Sequence, residues 1–318
     1  MSVVAADQQV STGAGAAAPE RPVAVAAPRG RVRDVLLAYV GLTKPRIIEL
    51  LLVTTVPTMM VAAGGMPSAW VMIVTLVGGT LAAGSANALN CYVDRDIDEV
   101  MRRTRRRPLP RHSVSPKQAL VFGILLGVVS VDLFAVATNL LAAGLTAAAI
   151  LFYVFVYTLW LKRRTPQAVV WGGVAGCMQI LIGWAAVTGG LDWPALALFG
   201  VLFCWQPPHF WALAIRYRED YAAAKVPMLP VVASERVVAR DIVAWAVLTV
   251  GCSLLLWNLG WGYLVAAAVL GAVFLRESWL LYGQARAGRP LRPMRLFHLS
   301  NSYLALLFCA VAASALLS

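Results

Sequence analysis

The stretch Ala69–Asp98, AWVMIVTLVGGTLAAGSANALNCYVDRDID, decides how this chain is read. From Ala69 to Val93 it carries no charged side chain, and about 20 apolar residues suffice for a helix to cross a bilayer. The run closes on Asn90, Asp94 and Asp98, and Arg102, Arg103, Arg105, Arg106 and Arg107 follow at once. On a helix, residues i, i+4 and i+8 share one face, drift about 40° per step and span roughly 12 Å. One helix end therefore presents an amide and two carboxylates in a single stripe. Oxygen ligands of this kind suit Mg²⁺, which takes one or two carboxylates plus substrate phosphates. A guanidinium cluster beside them suits a diphosphate. Acidic residues at a helix C-terminus oppose the helix dipole, so the stripe is poorly explained as a helix end that merely balances the arginines. Asp96 lies about 200° round from Asp94 and, like Glu99, reads as a solvated or ion-paired surface acid.

Eight further apolar runs flank this one, near Arg46–Ala63, Ala119–Ala137, Leu140–Trp160, Ala168–Val187, Pro194–Ile215, Ile242–Trp257, Gly262–Tyr282 and Leu296–Leu317. Of the 318 residues 60% are hydrophobic and only 13% charged, against about 25% charged in soluble domains. The fold class is thus an all-α integral membrane protein of about nine transmembrane helices. Residues 34–318 form the membrane domain. Residues 1–33, rich in Ala, Val, Gly and Pro without an uninterrupted apolar core, read as a disordered cytoplasmic tail rather than a signal peptide.

Lys and Arg fall in alternate loops. They occupy 102–117, 162–164, 216–240 and 276–295, while 64–68, 138–139, 188–193 and 258–261 contain none. Basic loops stay cytoplasmic, which places the N-terminus in the cytoplasm and the C-terminus on the opposite face of the cell membrane. The same segregation accounts for the net charge of +12 without nucleic acid. The five cysteines lie in apolar segments with no CxxC pair and read as small buried side chains. Gly78, Gly79, Gly84, Gly172, Gly173 and Gly176 are candidates for close helix contact.

Other polar positions are weighed against plain positive-inside placement, which also explains them. Lys44 opens the first span, and Lys162 and Arg163 close the fourth. With Arg102, Arg103 and Arg107 they are the candidate diphosphate ligands. A second polar cluster follows the sixth span: Arg216 and Asp220, one helical turn apart, and Lys225. It faces the first stripe across a pocket or is a salt-bridged loop. Within the sixth span, Trp205-Gln206-Pro207-Pro208-His209-Phe210 is expected to break the helix, a feature tolerated at membrane depth only where it lines a cavity or is buried in protein. An ionisable residue there is a functional candidate by default, so His209 is singled out.

These residues resemble the UbiA-type intramembrane prenyltransferase superfamily, whose mark is Asn-x-x-x-Asp-x-x-x-Asp at the end of the second of nine spans. Leu42 through Arg46, Met101 through Thr104, Arg107-Pro108-Leu109, Leu161 through Gln167, Trp205 through Phe210, Asp220-Tyr221 and Pro227 through Pro230 narrow the resemblance to its protoheme IX farnesyltransferase (heme O synthase) branch. It covers about residues 35–318. It implies nine helices around a central cavity opening to the cytoplasm, farnesyl diphosphate as donor, heme b as acceptor, Mg²⁺ as cofactor and heme O destined for terminal oxidases as product. Asn90, Asp94 and Asp98 would be the catalytic, metal-holding set; His209 is the heme candidate, either ligating or orienting the iron or simply a hydrogen-bonded histidine at a broken helix. Superfamily members acting on small aromatic acids carry a second Asp-x-x-x-Asp after the sixth span. Here Arg216 and Asp220 stand in its place, so Arg216 is a candidate for diphosphate or a propionate. Two other readings stay open: a related prenyltransferase acting on a quinone precursor, and a transporter. The second fits less well, because the carboxylates crowd one membrane face rather than the midplane.

Overall fold

The computed structural model describes residues 32–317, and residues 46–52 for their helical backbone only. The tail expected over 1–33 lies almost wholly outside the described residues. Its last two positions belong to a helix, α1 (Val32–Thr43), which precedes the first span. After it come α2 (Pro45–Ala63), α3 (Ala69–Val93), α4 (Arg95–Val100), α5 (Pro116–Ala137) and α6 (Leu140–Leu151), the last continuing as a π-helical segment, Phe152–Leu161. Then follow α7 (Ala168–Thr188), α8 (Trp193–Arg216), α9 (Arg218–Ala223), α10 (Leu229–Val232), α11 (Glu235–Leu254), α12 (Trp261–Arg286) and α13 (Pro293–Leu317). Eight of these elements, with α6 and the π segment counted as one, are long and apolar enough to cross a membrane. The remaining expected span is α2, whose described stretch Val53–Ala63 is apolar.

Local chemistry sets the boundaries. Ser115 accepts a hydrogen bond from the Gln118 amide and Gln118 answers on the Ser115 amide, a capping box with Pro116 at the first helical position of α5. Asn139 caps α6 through the Ala142 amide. Ser234 caps α11 through the Val237 amide, so the seventh span begins at Glu235, seven residues before the start expected from hydropathy, and ends at Leu254. A polar first turn hides a helix start from an apolar window; the cap reveals it.

The spans form a closed ring. Each packs on the next in chain order, and α13 returns to α2. Contacts also run across the ring, α2 with α7 and α8 with α13. Lipid cannot drive helices together by the hydrophobic effect, so close backbone approach must do it. The glycines supply that approach. A Cβ at Gly78 would meet the Phe134 ring at 2.6 Å, one at Gly79 the Gln179 amide at 2.2 Å, and one at Gly84 Thr43 at 3.2 Å. Gly173 and Gly176 make room for Gln206, and Gly172 for the ring of Tyr157. Buried Glu277 of α12 is paired, meeting Arg295 at the start of α13 at 3.1 Å.

One expectation is corrected here. Pro207 and Pro208 do not break the sixth span; α8 runs unbroken from Trp193 to Arg216. Proline removes an N–H donor, but its fixed φ is itself helical, and α8 is held on several sides by α7, α11 and α13.

Tight glycine contacts make a differential prediction. Gly172→Ala places a methyl 2.0 Å from the Tyr157 ring and should lower stability in detergent by about 1–3 kcal/mol. Gly144→Ala meets nothing within 4 Å in α6 and should be neutral or stabilising by about 0.5–1 kcal/mol. Thermal unfolding of the two variants checks this.

Candidate active site

The acidic stripe sits where one helix ends and another begins. α3 stops at Val93, Asp94 takes φ −88° and ψ 10°, and α4 starts at Arg95. The i→i−4 ladder survives the junction, with Asp94 N–H to Asn90 O at 2.9 Å and Asp98 N–H to Asp94 O at 2.8 Å. The stripe therefore keeps the face that the spacing predicts. The junction does change the electrostatics. Asp96 and Asp98 lie in the first turn of α4, where the helix dipole favours acids, rather than at the end of one long helix.

Asn90, Asp94 and Asp98 are all buried, and a chain of bonds joins the first two. Lys44 Nζ donates to Asn90 Oδ1 at 2.7 Å. Lys44 has donors only, so the amide oxygen must face it, and the Asn90 amide nitrogen then donates to Asp94 Oδ2 at 2.7 Å and Thr158 Oγ1 at 3.2 Å. Lys162 Nζ donates to the same Asp94 oxygen. Asp94 Oδ1 is buried with no hydrogen-bond partner, and the Arg163 guanidinium stands 3.8 Å from it. Asp98 takes Arg107 Nη1 on both oxygens at 2.8 and 2.7 Å. Four of the six candidate phosphate ligands thus reach the stripe. Burial pulls the Lys44 ammonium down to about 8, a cation short of solvent. Lys44 also holds φ 54°, the left-handed region, directly before Pro45, where that conformation is costly. Asn87 helps hold it by donating to Thr43 O at 2.8 Å.

Arg102 and Arg103 are used otherwise. Arg102 Nε donates to Asp220 Oδ1 at 2.8 Å and Nη2 to Glu219 at 3.1 Å, and Arg103 lies over the Tyr217 ring. These contacts fasten the basic loop to α9. Arg216 and Asp220, one turn apart in sequence, do not pair with each other; the salt bridge at this loop runs from Asp220 to Arg102. α8 ends at Arg216 and Tyr217 turns the chain, which leaves Arg216 exposed and gives buried Asp220 to Arg102. Lys225, with φ 54°, lines a recess of about 390 Å³ with Asp96 and Arg163. Of the two states open to Asp96, solvated or ion-paired, the structure has the second, its two oxygens on Arg163 at 2.7 Å each; that guanidinium holds its carboxyl below the ordinary value.

The fourth span contributes residues that hydropathy did not mark. The π segment is read from its i→i+5 bonds, such as Lys162 N–H to Tyr157 O at 2.9 Å. Thr158 Oγ1 donates to Tyr153 O at 2.8 Å while accepting from Asn90. The wide turn re-aims Thr158 and Lys162 at the stripe, as π segments at functional sites do. Tyr153 and Tyr157 pack ring to ring at 5.2 Å, both within electrostatic range of Asp94. The signal in the sequence was a pair of tyrosines one turn apart leading into Lys162. His209 lies elsewhere, against α13, where Trp205 donates to Ser300 O at 2.8 Å and His209 Nδ1 meets Ser300 Oγ at 2.9 Å.

The donor set fits a divalent cation: hard oxygens, one of them buried and unbonded. Among the described residues no three His, Cys, Asp or Glu side chains gather at ligand distance, so protein carboxylates alone do not build a cage. A ring of apolar helices thus carries Asp oxygens and a set of cations at one end, an arrangement that suits a prenyltransferase of the membrane interior. The sequence matches the UbiA prenyltransferase family over residues 51–301, and the chain belongs to that family. It is 60% identical to protoheme IX farnesyltransferase 1 of Saccharopolyspora erythraea, over 91% of this chain and 93% of that one. It is 59% identical to the protoheme IX farnesyltransferase of Salinispora tropica, over 91% and 92%. The fold is similar to a structure of digeranylgeranylglyceryl phosphate synthase (TM-score 0.74, 16% identity, 90% of this chain and 100% of that one). It is also similar to a UbiA homolog from Archaeoglobus fulgidus bound to DMAPP and Mg²⁺ (TM-score 0.58, 16% identity, 86% and 99%).

Removing Lys162 leaves the Asp94 carboxylate buried beside a single, more distant guanidinium. Lys162→Met should cost about 3 kcal/mol, and Asp94→Asn in the same chain should recover part of that loss. A double-mutant cycle followed by thermal unfolding measures the coupling.

Proposed function

We propose that this chain transfers a farnesyl group from farnesyl diphosphate to a vinyl group of heme b, forming heme O, in an Mg²⁺-dependent reaction at the cytoplasmic face of the cell membrane. The observation that carries the donor half is the Asp94 carboxylate: one oxygen buried and unbonded, the other on Lys162, inside a set of cations that also includes Lys44, Arg107 and Arg163. The acceptor half rests on the relatives' shared name and on the Trp205–Phe210 run. The basic loops support the cytoplasmic orientation, and delivery of the product to terminal oxidases is part of the proposal.

Asp94 through Oδ1, and Asp98 once Arg107 leaves it, would hold the metal, with Asn90 keeping Asp94 oriented. When bound, Mg²⁺ supplies positive charge to the departing diphosphate. In the resting arrangement Lys162 and Arg107 neutralise the two carboxylates. An arriving diphosphate competes for both cations, and their transfer to phosphate frees the carboxylates as the charge on the leaving group grows. Donors placed in advance where charge develops are the main source of such catalysis. The C–O bond to diphosphate breaks, and the allylic cation is left near the faces of Tyr153 and Tyr157, which favour cations. A vinyl carbon of the porphyrin then bonds to farnesyl C1. Water adds its oxygen to the resulting porphyrin-side cation and loses a proton, giving the hydroxyl group. No Ser or Cys nucleophile takes part.

Two measurements check this. Hemes extracted from membranes with and without the chain should differ by a species heavier by one hydroxyfarnesyl group, and chelation should abolish its formation until Mg²⁺ is restored; unchanged heme masses overturn the acceptor. Asp94→Asn, folded in membranes, should lower the transfer rate on the order of 100-fold. A normal rate overturns the role of Asp94.

A further inference from the structure

His209 is held by aromatic rings and one hydrogen bond. Trp205 stacks on it at 4.3 Å with 20° between planes, and Phe297 at 4.4 Å with 25°. Two nearly parallel rings at stacking distance cannot share one face, so the imidazole is sandwiched. Its Nδ1 lies 2.9 Å from Ser300 Oγ. The Ser300 hydroxyl in turn lies 2.8 Å from Phe297 O.

The single hydroxyl proton decides the tautomer. Two oxygens 2.8 Å apart repel unless a proton lies between them, so the Ser300 hydroxyl donates to Phe297 O. Ser300 Oγ can then only accept from His209, and Nδ1 must carry the hydrogen. A neutral imidazole protonated at Nδ1 has its lone pair on Nε2, which takes no hydrogen bond from the described residues. Ser300 is itself held, because its carbonyl accepts the Trp205 indole N–H at 2.8 Å. The side chain that stacks on the imidazole thus also anchors the backbone of the residue that sets its tautomer. Histidines that bind metal donate their other N–H to an acceptor in this way, which fixes ring orientation and raises basicity.

We propose that Ser300 is a positioning residue: it fixes His209 as the Nδ1–H tautomer so that Nε2 offers its lone pair to the iron of the porphyrin acceptor. The proposal rests on heme being the substrate. Coordination is a lone-pair donation from neutral imidazole to iron, with no proton or electron released. It would place the porphyrin against the α8–α13 pair.

The test uses the full chain in detergent, titrated with ferrous heme b and followed by absorbance and resonance Raman, with farnesyl transfer to heme scored separately by mass. Wild type should show an iron–histidine stretch. His209→Ala should lose it, and added imidazole should restore it. Ser300→Ala should shift the stretch and weaken heme binding by roughly tenfold or more, while Ser300→Thr, which keeps the hydroxyl, should match wild type. An unchanged stretch and affinity in folded Ser300→Ala overturns the role of Ser300. If that variant does not fold, wild type alone decides, because the stretching frequency reports whether Nδ1–H is hydrogen-bonded; the frequency of a free Nδ1–H overturns the proposal. Wild type that farnesylates heme without any iron–histidine stretch overturns this inference and leaves the transferase reading intact. Wild type that prenylates another acceptor but never heme overturns the reading beneath it.

Discussion

The buried contact between Asp94 and Lys162 governs the rest of the site. A carboxylate taken out of water is held only by a partner of opposite charge. Here the partner sits on a different span, at the end of a π-helical turn that aims it. Asn90, Thr158 and Lys44 are arranged around that pair, and Arg107 repeats its logic at Asp98. The arrangement is electrically satisfied but not saturated, because one Asp94 oxygen remains without a hydrogen bond. The proposed function uses that oxygen: diphosphate would take the cations and a divalent ion the oxygens.

Helix packing provides the precision this requires. Gly172 lets the Tyr157 ring lie against α7, and Gly173 with Gly176 does the same for Gln206 of α8. Gln206 donates to Gly173 O at 3.0 Å and to Cys177 at 3.1 Å, which ties the sixth span to the fifth one turn from His209. The basic loop after α4 is pinned rather than loose. Leu109 and Val114 are buried with Leu42, Ala88 and Cys91, Thr104 bonds to Asp98 O at 3.1 Å, and Arg102 clasps α9. Arg107 reaches Asp98 from a fixed platform.

Much of this was legible in the sequence for a physical reason: a bilayer demands long apolar helices and segregates basic loops. The spans, the Asn90–Asp94–Asp98 face and the placing of Asp96 off that face follow from period and composition. What escaped depends on tertiary choices. Hydropathy does not encode that the helix restarts after Asp94, that Phe152–Leu161 winds as a π helix, or that Asp220 prefers Arg102 to its chain neighbour Arg216. The prolines of the sixth span suggest a break that does not occur, because a helix packed on several neighbours tolerates them. Ser300 has no local signature at all; only its position across from His209 gives it meaning.

Metal and diphosphate are proposed to bind together because Lys162 and Arg107 otherwise neutralise the carboxylates. Mn²⁺ binding followed by electron paramagnetic resonance tests this most directly, on the full chain with and without a non-hydrolysable farnesyl diphosphate analogue. Mn²⁺ should bind weakly alone, bind tightly with phosphorus coupling when the analogue is present, and lose the tight mode in Asp94→Asn. Tight binding without the analogue, or binding indifferent to Asp94, would contradict this.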